Sequence, residues 1–213
     1  MKNHLIINVG RQLGSGGRII GSRIAKDLGL KFYDREILDL AAQESGFNKR
    51  LFERNDEHKG FLKTLFCTFT SFASESNPYA NQLSDESLFK FQSDAIRNAA
   101  EKDSCVFVGR CADYILRDHT VCINIFITAN MEDRIKRISE LLNISEKEAE
   151  KKCIEGDKTR ADYYNYYTGK TWGDAQSYDL CINSSVVGIE GTVAIIKELI
   201  LKKTNHDSHR TSL

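Results

Sequence analysis

Val9-Gly10-Arg11-Gln12-Leu13-Gly14-Ser15-Gly16-Gly17-Arg18 is the stretch that decides the fold. The apolar run over residues 5–9 before it is short and β-branched, which is typical of a buried strand. After it, apolar residues recur every four positions over 19–28 and a glycine follows, which predicts a helix. A strand, a glycine-rich turn and a helix in this order can bind phosphate, because glycines let the backbone curl around the anion and the loop amides point at it.

The loop departs from the usual phosphate-loop pattern, G-x-x-x-x-G-K-[ST]. With Gly16 as the second glycine, Gly17 takes the place of the lysine and Arg18 that of the Ser/Thr, while Arg11 replaces the first glycine. We expect Arg18 to supply the missing positive charge, because a guanidinium suits phosphate oxygens. The predicted ligands of the donor phosphates are Gly14, Ser15, Gly16, Gly17 and Arg18. Two other interpretations stay open: a turn that binds nothing, and a dinucleotide-binding loop that uses Asp34.

Length and composition limit the classes of protein. The 213 residues suffice for one α/β domain, which we place over 1–203, with a polar tail over 204–213. Lys+Arg and Asp+Glu balance at 30 each, so no global field favours nucleic acid or a membrane as partner. Without a long apolar run or a signal pattern, we expect a cytoplasmic protein. The six cysteines are scattered singly, which argues against disulfides or a zinc site, and we predict no metal held by protein side chains. Three of them, Cys105, Cys122 and Cys181, fall inside predicted buried strands, where a thiol acts as a small hydrophobe.

The rest of the chain alternates between strands and helices. A strand over 30–33 completes a βαβ unit, which predicts a parallel sheet with ligands beyond the carboxyl ends of its strands. Further predicted elements are strands at 105–108, 121–127 and 178–183 and helices at 84–101, 131–142 and 189–202. Residues 37–101 are too long for one crossover helix, so we predict an inserted helical subdomain with a loop over 71–84. Its apolar run 61–69 either packs as a helix or forms a homodimer interface, and both remain open.

Charged residues cluster where the predicted strands end. Asp34 either contacts an acceptor or caps the next helix, and the sequence leaves both open. Arg110 follows a buried strand and a clearing glycine, which predicts a ligand contact. Arg134 and Arg137 share one helix face at a spacing of three residues. The segment 145–175, dense in aromatic and charged residues, is a predicted lid whose cations stabilise a phosphoryl group in transfer while closure excludes water.

Taken together, these motifs resemble the cytidylate kinase-like family, a nucleoside monophosphate kinase branch of the P-loop kinases. The residues that carry the resemblance are 10–18, 32–34, 108–116, 157–160 with Tyr163 and Tyr164, and 172–180. The resemblance implies an α/β fold with a five-stranded parallel sheet flanked by helices, a helical nucleotide-binding insert over 37–101 and a short lid. It also implies phosphoryl transfer from ATP with Mg²⁺ to a nucleoside monophosphate, by name CMP or dCMP.

The family's motifs carry over in part. Arg110 matches the arginine of its G-R-D motif at the acceptor nucleotide, but Cys111 replaces the aspartate, and Asp113 is a candidate substitute. Asp157 and Arg160 match the D-x-x-R of the lid. The family's lysine and the Ser/Thr that helps to hold Mg²⁺ are absent.

We therefore expect two sets of side chains in the site. The acceptor-binding set is Asp34, Arg110, Asp113 and Asp157, and the catalytic set is Arg18, Arg134, Arg137 and Arg160. Two alternatives stay open beside the nucleoside monophosphate kinase: a kinase for another small acceptor, and a nucleotide-binding sensor that has lost catalysis.

Overall fold

The structure, a computed structural model, describes residues 4–34 and 78–210. The chain divides into two compact units, one formed by Met1–Asp34 and Ala99–Leu213 and the other by Arg35–Asn98. The apolar run 61–69 and the predicted helices before residue 78 lie outside the described residues.

The first unit contains a five-stranded parallel sheet in the order β2-β3-β1-β4-β5. Its strands are β1 Ile6–Arg11, β2 Lys31–Tyr33, β3 Cys105–Val108, β4 Cys122–Thr128 and β5 Leu180–Asn183. The helices of the described chain are α1 Gly17–Leu28, α2 Pro78–Lys102, α3 Ala112–Ile115, α4 Met131–Leu142, α5 Glu146–Thr168 and α6 Ser184–Arg210, and a 3₁₀ turn spans Ala175–Ser177. The predicted parallel sheet flanked by helices is confirmed.

The core lies between one face of the sheet and helices α1 and α6. Alternate residues of β1, such as Ile7 and Val9, are buried against Ile20 and Ile24 of α1 and Ile196 of α6. This pairing follows from the two periods in the sequence, two residues along a strand and nearly four along a helix. Because the central strands are covered on both faces, they read as continuous apolar runs.

The strand order also determines where a ligand can bind. β1 is the central strand, with β3 on one side and β4 on the other. The connections that leave the carboxyl ends of the strands therefore diverge to the two sides of β1. Open parallel sheets bind ligands at this kind of switch point, outside the carboxyl ends of the strands. The glycine-rich loop follows β1 directly and therefore lies at that point.

Two helices are longer than the sequence predicted. Helix α2 begins at Pro78, inside the predicted loop, because the first position of a helix tolerates a residue without an N–H. Helix α6 continues to Arg210, through most of the predicted polar tail, because no Gly or Pro interrupts it there. Its one break is Gly188, with φ 68° and ψ 177°, directly before the predicted helix start at residue 189.

Two further details differ from the sequence-based picture. Helix α5 runs unbroken from Glu146 to Thr168, through about the first three quarters of the predicted lid. Cys181, predicted to be buried in a strand, is exposed, because β5 is an edge strand of the sheet. Within residues 4–34 and 78–210, no helix is both long and apolar enough to cross a membrane.

Candidate active site

The glycine-rich loop joins β1 to α1 in a conformation that needs its glycines. Gly14 and Gly16 both have a φ of 80°, in the left-handed region that side chains disfavour. A Cβ on Gly14 would also lie 2.8 Å from the backbone oxygen of Arg134. Gly16 is the N-cap of α1 and makes no side-chain capping bond, so the first amides of this helix face a position suited to an anion.

A buried ion pair clamps the loop from one side. Asp157 Oδ1 accepts a hydrogen bond from Leu13 N at 2.7 Å, and Arg134 Nε donates to Leu13 O at 2.7 Å. Arg134 and Asp157 in turn pair with each other through Nη2 and Oδ2. Arg134 is 3 % exposed, so the predicted catalytic arginine lies beneath the loop, where it holds backbone.

Two further contacts hold the loop backbone. The guanidinium of Arg137 donates to the oxygen of Gly14, as its position one helical turn after Arg134 allows. Ser184 Oγ donates to Ser15 O at 2.7 Å. Ser15 is fully buried and its hydroxyl donates to Gln12 O at 2.9 Å. The loop is thus held by side chains from three later parts of the chain, which favours a preformed site.

Asp34 lies between two arginines. Its Oδ2 is 2.6 Å from Arg18 Nε, and its Oδ1 is 3.6 Å from Arg11 Nη2. The carboxylate therefore orients both cations, and the alternative role as a cap for the following helix concerns residues outside the described chain. Arg18 has a 68 % exposed side chain, while that of Arg11 is 20 % exposed.

Positive charge converges on Arg11. Burial, together with the charges of Arg160, Arg110 and Arg18, lowers the pKa of Arg11 to about 9, while the carboxylate of Asp34 opposes the shift. Burial also lowers the pKa of Arg160, with Asp157 opposing. Crowded, half-buried guanidinium groups of this kind are stabilised by a bound anion, since each disfavours its neighbours' charge.

One guanidinium nitrogen of Arg160 has no hydrogen-bond acceptor in the described part of the chain. Its Nη1 atom is buried without a hydrogen-bond partner among the described residues, and it is 3.6 Å from Asp157 Oδ1. Buried polar atoms nearly always have partners, so an orphaned guanidinium nitrogen indicates a missing acceptor. A phosphate oxygen would supply one.

The turn after β3 is conformationally strained. Gly109, Arg110 and Cys111 all have left-handed φ angles, of 79°, 61° and 56°. Such strain in two residues with side chains costs on the order of 1 kcal/mol or more each and is commonly found at functional sites. Arg110 hydrogen-bonds to Tyr163 on α5. Cys111 is 3 % exposed and burial raises the pKa of its thiol to about 12, so it is a neutral group beneath the site.

Asp113 belongs to a different polar group. Tyr164 donates to its Oδ2 at 2.6 Å, and Tyr178 and Lys170 lie close enough to share its electrostatics. Burial raises the pKa of Asp113, and the hydrogen bond from Tyr164 opposes that shift. The structure therefore brings Asp34, Arg18, Arg110, Arg160 and Asp157 around the loop, and it places Asp113 in the packing behind Tyr164.

Arg11 is the residue that sequence reasoning missed. The phosphate-loop pattern has its first glycine at this position, so the pattern assigns no role to the side chain that Arg11 carries. The signal available was its position as the last residue of the central strand, directly before the loop.

The carboxylates beside the loop do not suit a direct magnesium contact. Each oxygen of Asp34 faces an arginine, and both oxygens of Asp157 are taken by Leu13, Arg134 and Arg160. Oxygen ligands for Mg²⁺ need to be free of such cations. Among the residues that the structure describes, neither of these two carboxylates is therefore placed to coordinate a magnesium ion directly.

Known proteins are similar to this chain in sequence and in fold. A model of the cytidylate kinase-like family matches residues 6–186. The proteins named cytidylate kinase from Pyrococcus horikoshii and Thermococcus kodakarensis are each 27 % identical over 201 residues, which is 93 % of this chain and 90 % and 89 % of those relatives.

Solved structures agree on the architecture. An uncharacterized protein from Eubacterium ventriosum superposes with a TM-score of 0.70 at 28 % identity, over 92 % of this chain and 98 % of its own. A gluconokinase from Sinorhizobium meliloti gives 0.53 at 10 % identity, over 97 % and 99 %, a likeness of fold alone. The chain therefore belongs to the cytidylate kinase-like family and has the fold of the P-loop kinases.

Proposed function

We propose that this chain transfers the γ-phosphate of MgATP to a nucleoside monophosphate, CMP or dCMP in the first instance. The observation that carries the proposal is the convergence of Arg11, Arg18, Arg110 and Arg160 on one glycine-rich loop. The buried Nη1 of Arg160 has no acceptor among the residues that the structure describes. The similarity to proteins named cytidylate kinase over nearly the whole chain supports the choice of acceptor.

The proposed reaction is an in-line displacement. A phosphate oxygen of the acceptor bonds to the γ-phosphorus as the bond to the β,γ-bridging oxygen breaks, and ADP leaves with that electron pair. No general base is needed, because the acceptor phosphate is largely ionised near neutral pH. The protein's task is then to position both substrates and to stabilise the charge on the transferring group.

Each residue has a part in this scheme. The loop amides and Arg18 bind the donor phosphates, and Arg110 with Asp34 orients the acceptor. Arg160, anchored by Asp157, neutralises charge on the phosphoryl oxygens in transfer. Arg134 and Arg137 act through the loop backbone that they hold, as positioning residues.

A kinase for another small acceptor is the second candidate, and Cys111 favours it. The aspartate of the family's G-R-D motif is replaced by a buried neutral thiol, which offers no carboxylate to a cytosine. Asp113 is bonded to Tyr164, so a replacement contact requires that bond to open.

A coupled ADP-release assay tests the proposal. MgATP would be supplied with CMP, dCMP, UMP, AMP, GMP and two hydroxyl acceptors, shikimate and gluconate. Turnover with CMP or dCMP is expected, and Arg160→Ala should lower kcat by about 100-fold or more. The matched control is Arg23→Ala, an exposed arginine on α1 that pairs with Glu190 and should leave kcat unchanged.

The pattern of turnover separates the candidates. Phosphorylation of a hydroxyl acceptor alone would replace the nucleoside monophosphate assignment with the second candidate. ATP binding without turnover on any acceptor would contradict both and favour a nucleotide sensor.

A further inference from the structure

We propose that Arg11 takes the place of the phosphate-loop lysine and reaches the donor phosphates from the end of β1, across the loop. This inference rests on the proposed function, since it names the cation that binds the nucleotide's phosphates. It differs from the sequence-based expectation, which gives that task to Arg18.

The lysine position is already filled by the stem of Arg11. A Cβ on Gly17 would lie 2.5 Å from the Cβ of Arg11 and 2.9 Å from its Cγ. Atoms at such distances overlap, and neither belongs to the far end of a flexible side chain. A lysine at residue 17 and an arginine at residue 11 therefore compete for one space, and this sequence carries the arginine.

A second glycine clears the way for the guanidinium. A Cβ on Gly109, at the end of the neighbouring strand β3, would collide with Nη1 of Arg11 and lie 3.0 Å from its Cζ. Gly109 also has a φ of 79°, which a side chain would strain. The side chain of Arg11 thus runs between two glycines, one at the start of α1 and one at the end of β3.

The two arginines on Asp34 differ in what they can do for a bound nucleotide. Arg11 is four-fifths buried, whereas two thirds of the Arg18 side chain is exposed. A mostly buried cation interacts with phosphate more strongly than an exposed one, because less water screens it. Asp34 takes only one edge of Arg11, at 3.6 Å, which leaves further guanidinium donors for phosphate oxygens.

The surrounding charge favours an anion beside Arg11. Burial lowers its pKa, and the positive charges of Arg160, Arg110 and Arg18 lower it further against the single opposing charge of Asp34. A phosphate would reverse this balance, so the arrangement is more favourable with nucleotide bound than without it.

A swap of the cation between the two positions tests the proposal. Binding of MgADP would be measured by titration calorimetry for Arg11→Ala, Gly17→Lys and a double variant, Arg11→Gly with Gly17→Lys. Glycine is used at residue 11 in the double variant because a Cβ there would lie 2.5 Å from the new Cβ at residue 17. We expect Arg11→Ala to weaken binding about 10- to 100-fold, the effect of losing charged hydrogen bonds. The double variant should regain at least 10-fold of that loss, because the lysine then has room to reach the phosphates.

Matched controls separate the position of the charge from its presence. Ile19→Lys in the Arg11→Ala background adds the same charge at an exposed site on the first turns of α1 and should restore nothing. Gly17→Lys alone should bind worse than wild type, since both side chains compete for one space. Arg18→Ala should weaken MgADP binding less than Arg11→Ala does. Thermal unfolding would verify that each variant folds, and Arg11→Met, which keeps the stem, replaces Arg11→Ala if the latter does not.

The outcomes decide between Arg11 and its alternatives. Wild-type affinity in folded Arg11→Ala or Arg11→Met, or a double variant no better than Arg11→Ala alone, would overturn the proposal. A larger loss in Arg18→Ala than in Arg11→Ala would return the role to Arg18. A wild-type chain that binds MgADP but phosphorylates no acceptor would contradict the proposed function while leaving this test readable. A chain that binds no nucleotide would overturn both.

Discussion

Asp34 illustrates how burial assigns different tasks to residues of one type. It pairs with Arg18 at 2.6 Å and with Arg11 at 3.6 Å, yet one arginine is mostly exposed and the other mostly buried. An exposed ion pair contributes little to stability, typically about 0–1 kcal/mol, so Arg18 is free to exchange Asp34 for a ligand. The side chain of Arg11 lies between Gly17 and Gly109, which restricts its guanidinium to one orientation.

The buried carboxyl of Asp113 gives a prediction for stability against pH. Burial raises its pKa above the usual 3.8 in the folded state, so the folded chain binds this proton more tightly than the unfolded chain. The stabilisation from that proton is complete below the unfolded pKa and is lost as the pH rises through the folded pKa. Asp113→Asn keeps an acceptor for the Tyr164 hydroxyl and cannot ionise. Relative to wild type, its free energy of unfolding should therefore increase as the pH rises from 4 to 7.

Urea denaturation at each pH measures this difference. Asp118→Asn is the control, because Asp118 is exposed and should follow wild type throughout. A constant difference between Asp113→Asn and wild type from pH 4 to 7 would mean that Asp113 does not titrate with folding.

At the scale of elements, helix α5 and the glycine-rich loop are held together by direct contacts. The helix starts with a capping box in which Ser145 and Glu148 satisfy each other's backbone. Farther along it, Gly156 lets the helix approach closely, since a Cβ there would lie 2.8 Å from a Leu13 methyl carbon. Asp157 then holds Leu13 N. A lid movement of residues 145–175 stays a prediction. Such a movement either preserves the hydrogen bond between Leu13 N and Asp157 or requires that it break.

Loss of Asp157 should destabilise the fold. Asp157→Ala leaves the guanidinium of Arg134, 4 % exposed, without its carboxylate, and breaking a buried pair from one side costs about 3 kcal/mol. The same helix offers a control in Glu155→Ala, where an exposed pair with Lys151 at 3.7 Å is lost for less than about 0.5 kcal/mol. Urea denaturation would measure both. Equal free energies of unfolding for the two variants would argue against the clamp.

At the scale of the molecule, the core between the sheet and helices α1 and α6 supports the site. Strand β1, which ends at the loop, and its neighbour β4 also bury Ile7, Val9 and Ile125 against these helices. Precise placement of side chains at the carboxyl edge therefore depends on packing well away from it.

Adjacent isoleucines of α6 test that packing. Ile196 is fully buried, so Ile196→Ala should lower the free energy of unfolding by about 2–5 kcal/mol through lost burial and a cavity. Ile195 is 41 % exposed, and Ile195→Ala should cost less than about 1 kcal/mol. Chemical denaturation of both variants provides the comparison. A small effect at residue 196 would mean that α6 does not contribute to the core as described.

Much of the architecture follows from the sequence, because it rests on local patterns. The apolar runs, the glycine that follows α1 and the βαβ order predicted a parallel sheet, and helix α4 and strand β3 have the predicted bounds. The predicted start of α2 was wrong, because the sequence pattern does not distinguish a proline at the first position of a helix from a proline within a loop. The burial of Cys181 was wrong, because an edge strand and a central strand share the same apolar pattern.

From the sequence alone one can predict that a glycine-rich turn joins a strand to a helix and that arginines follow the strand ends. Which arginine lies where depends on the tertiary structure. Arg134 faces the loop backbone from beneath, and Arg11 runs between Gly17 and Gly109, residues far apart in the chain. Periodicity describes the neighbours of a residue within its own helix or strand. Contacts such as these depend on how separate elements pack, so spacing along the chain does not encode them.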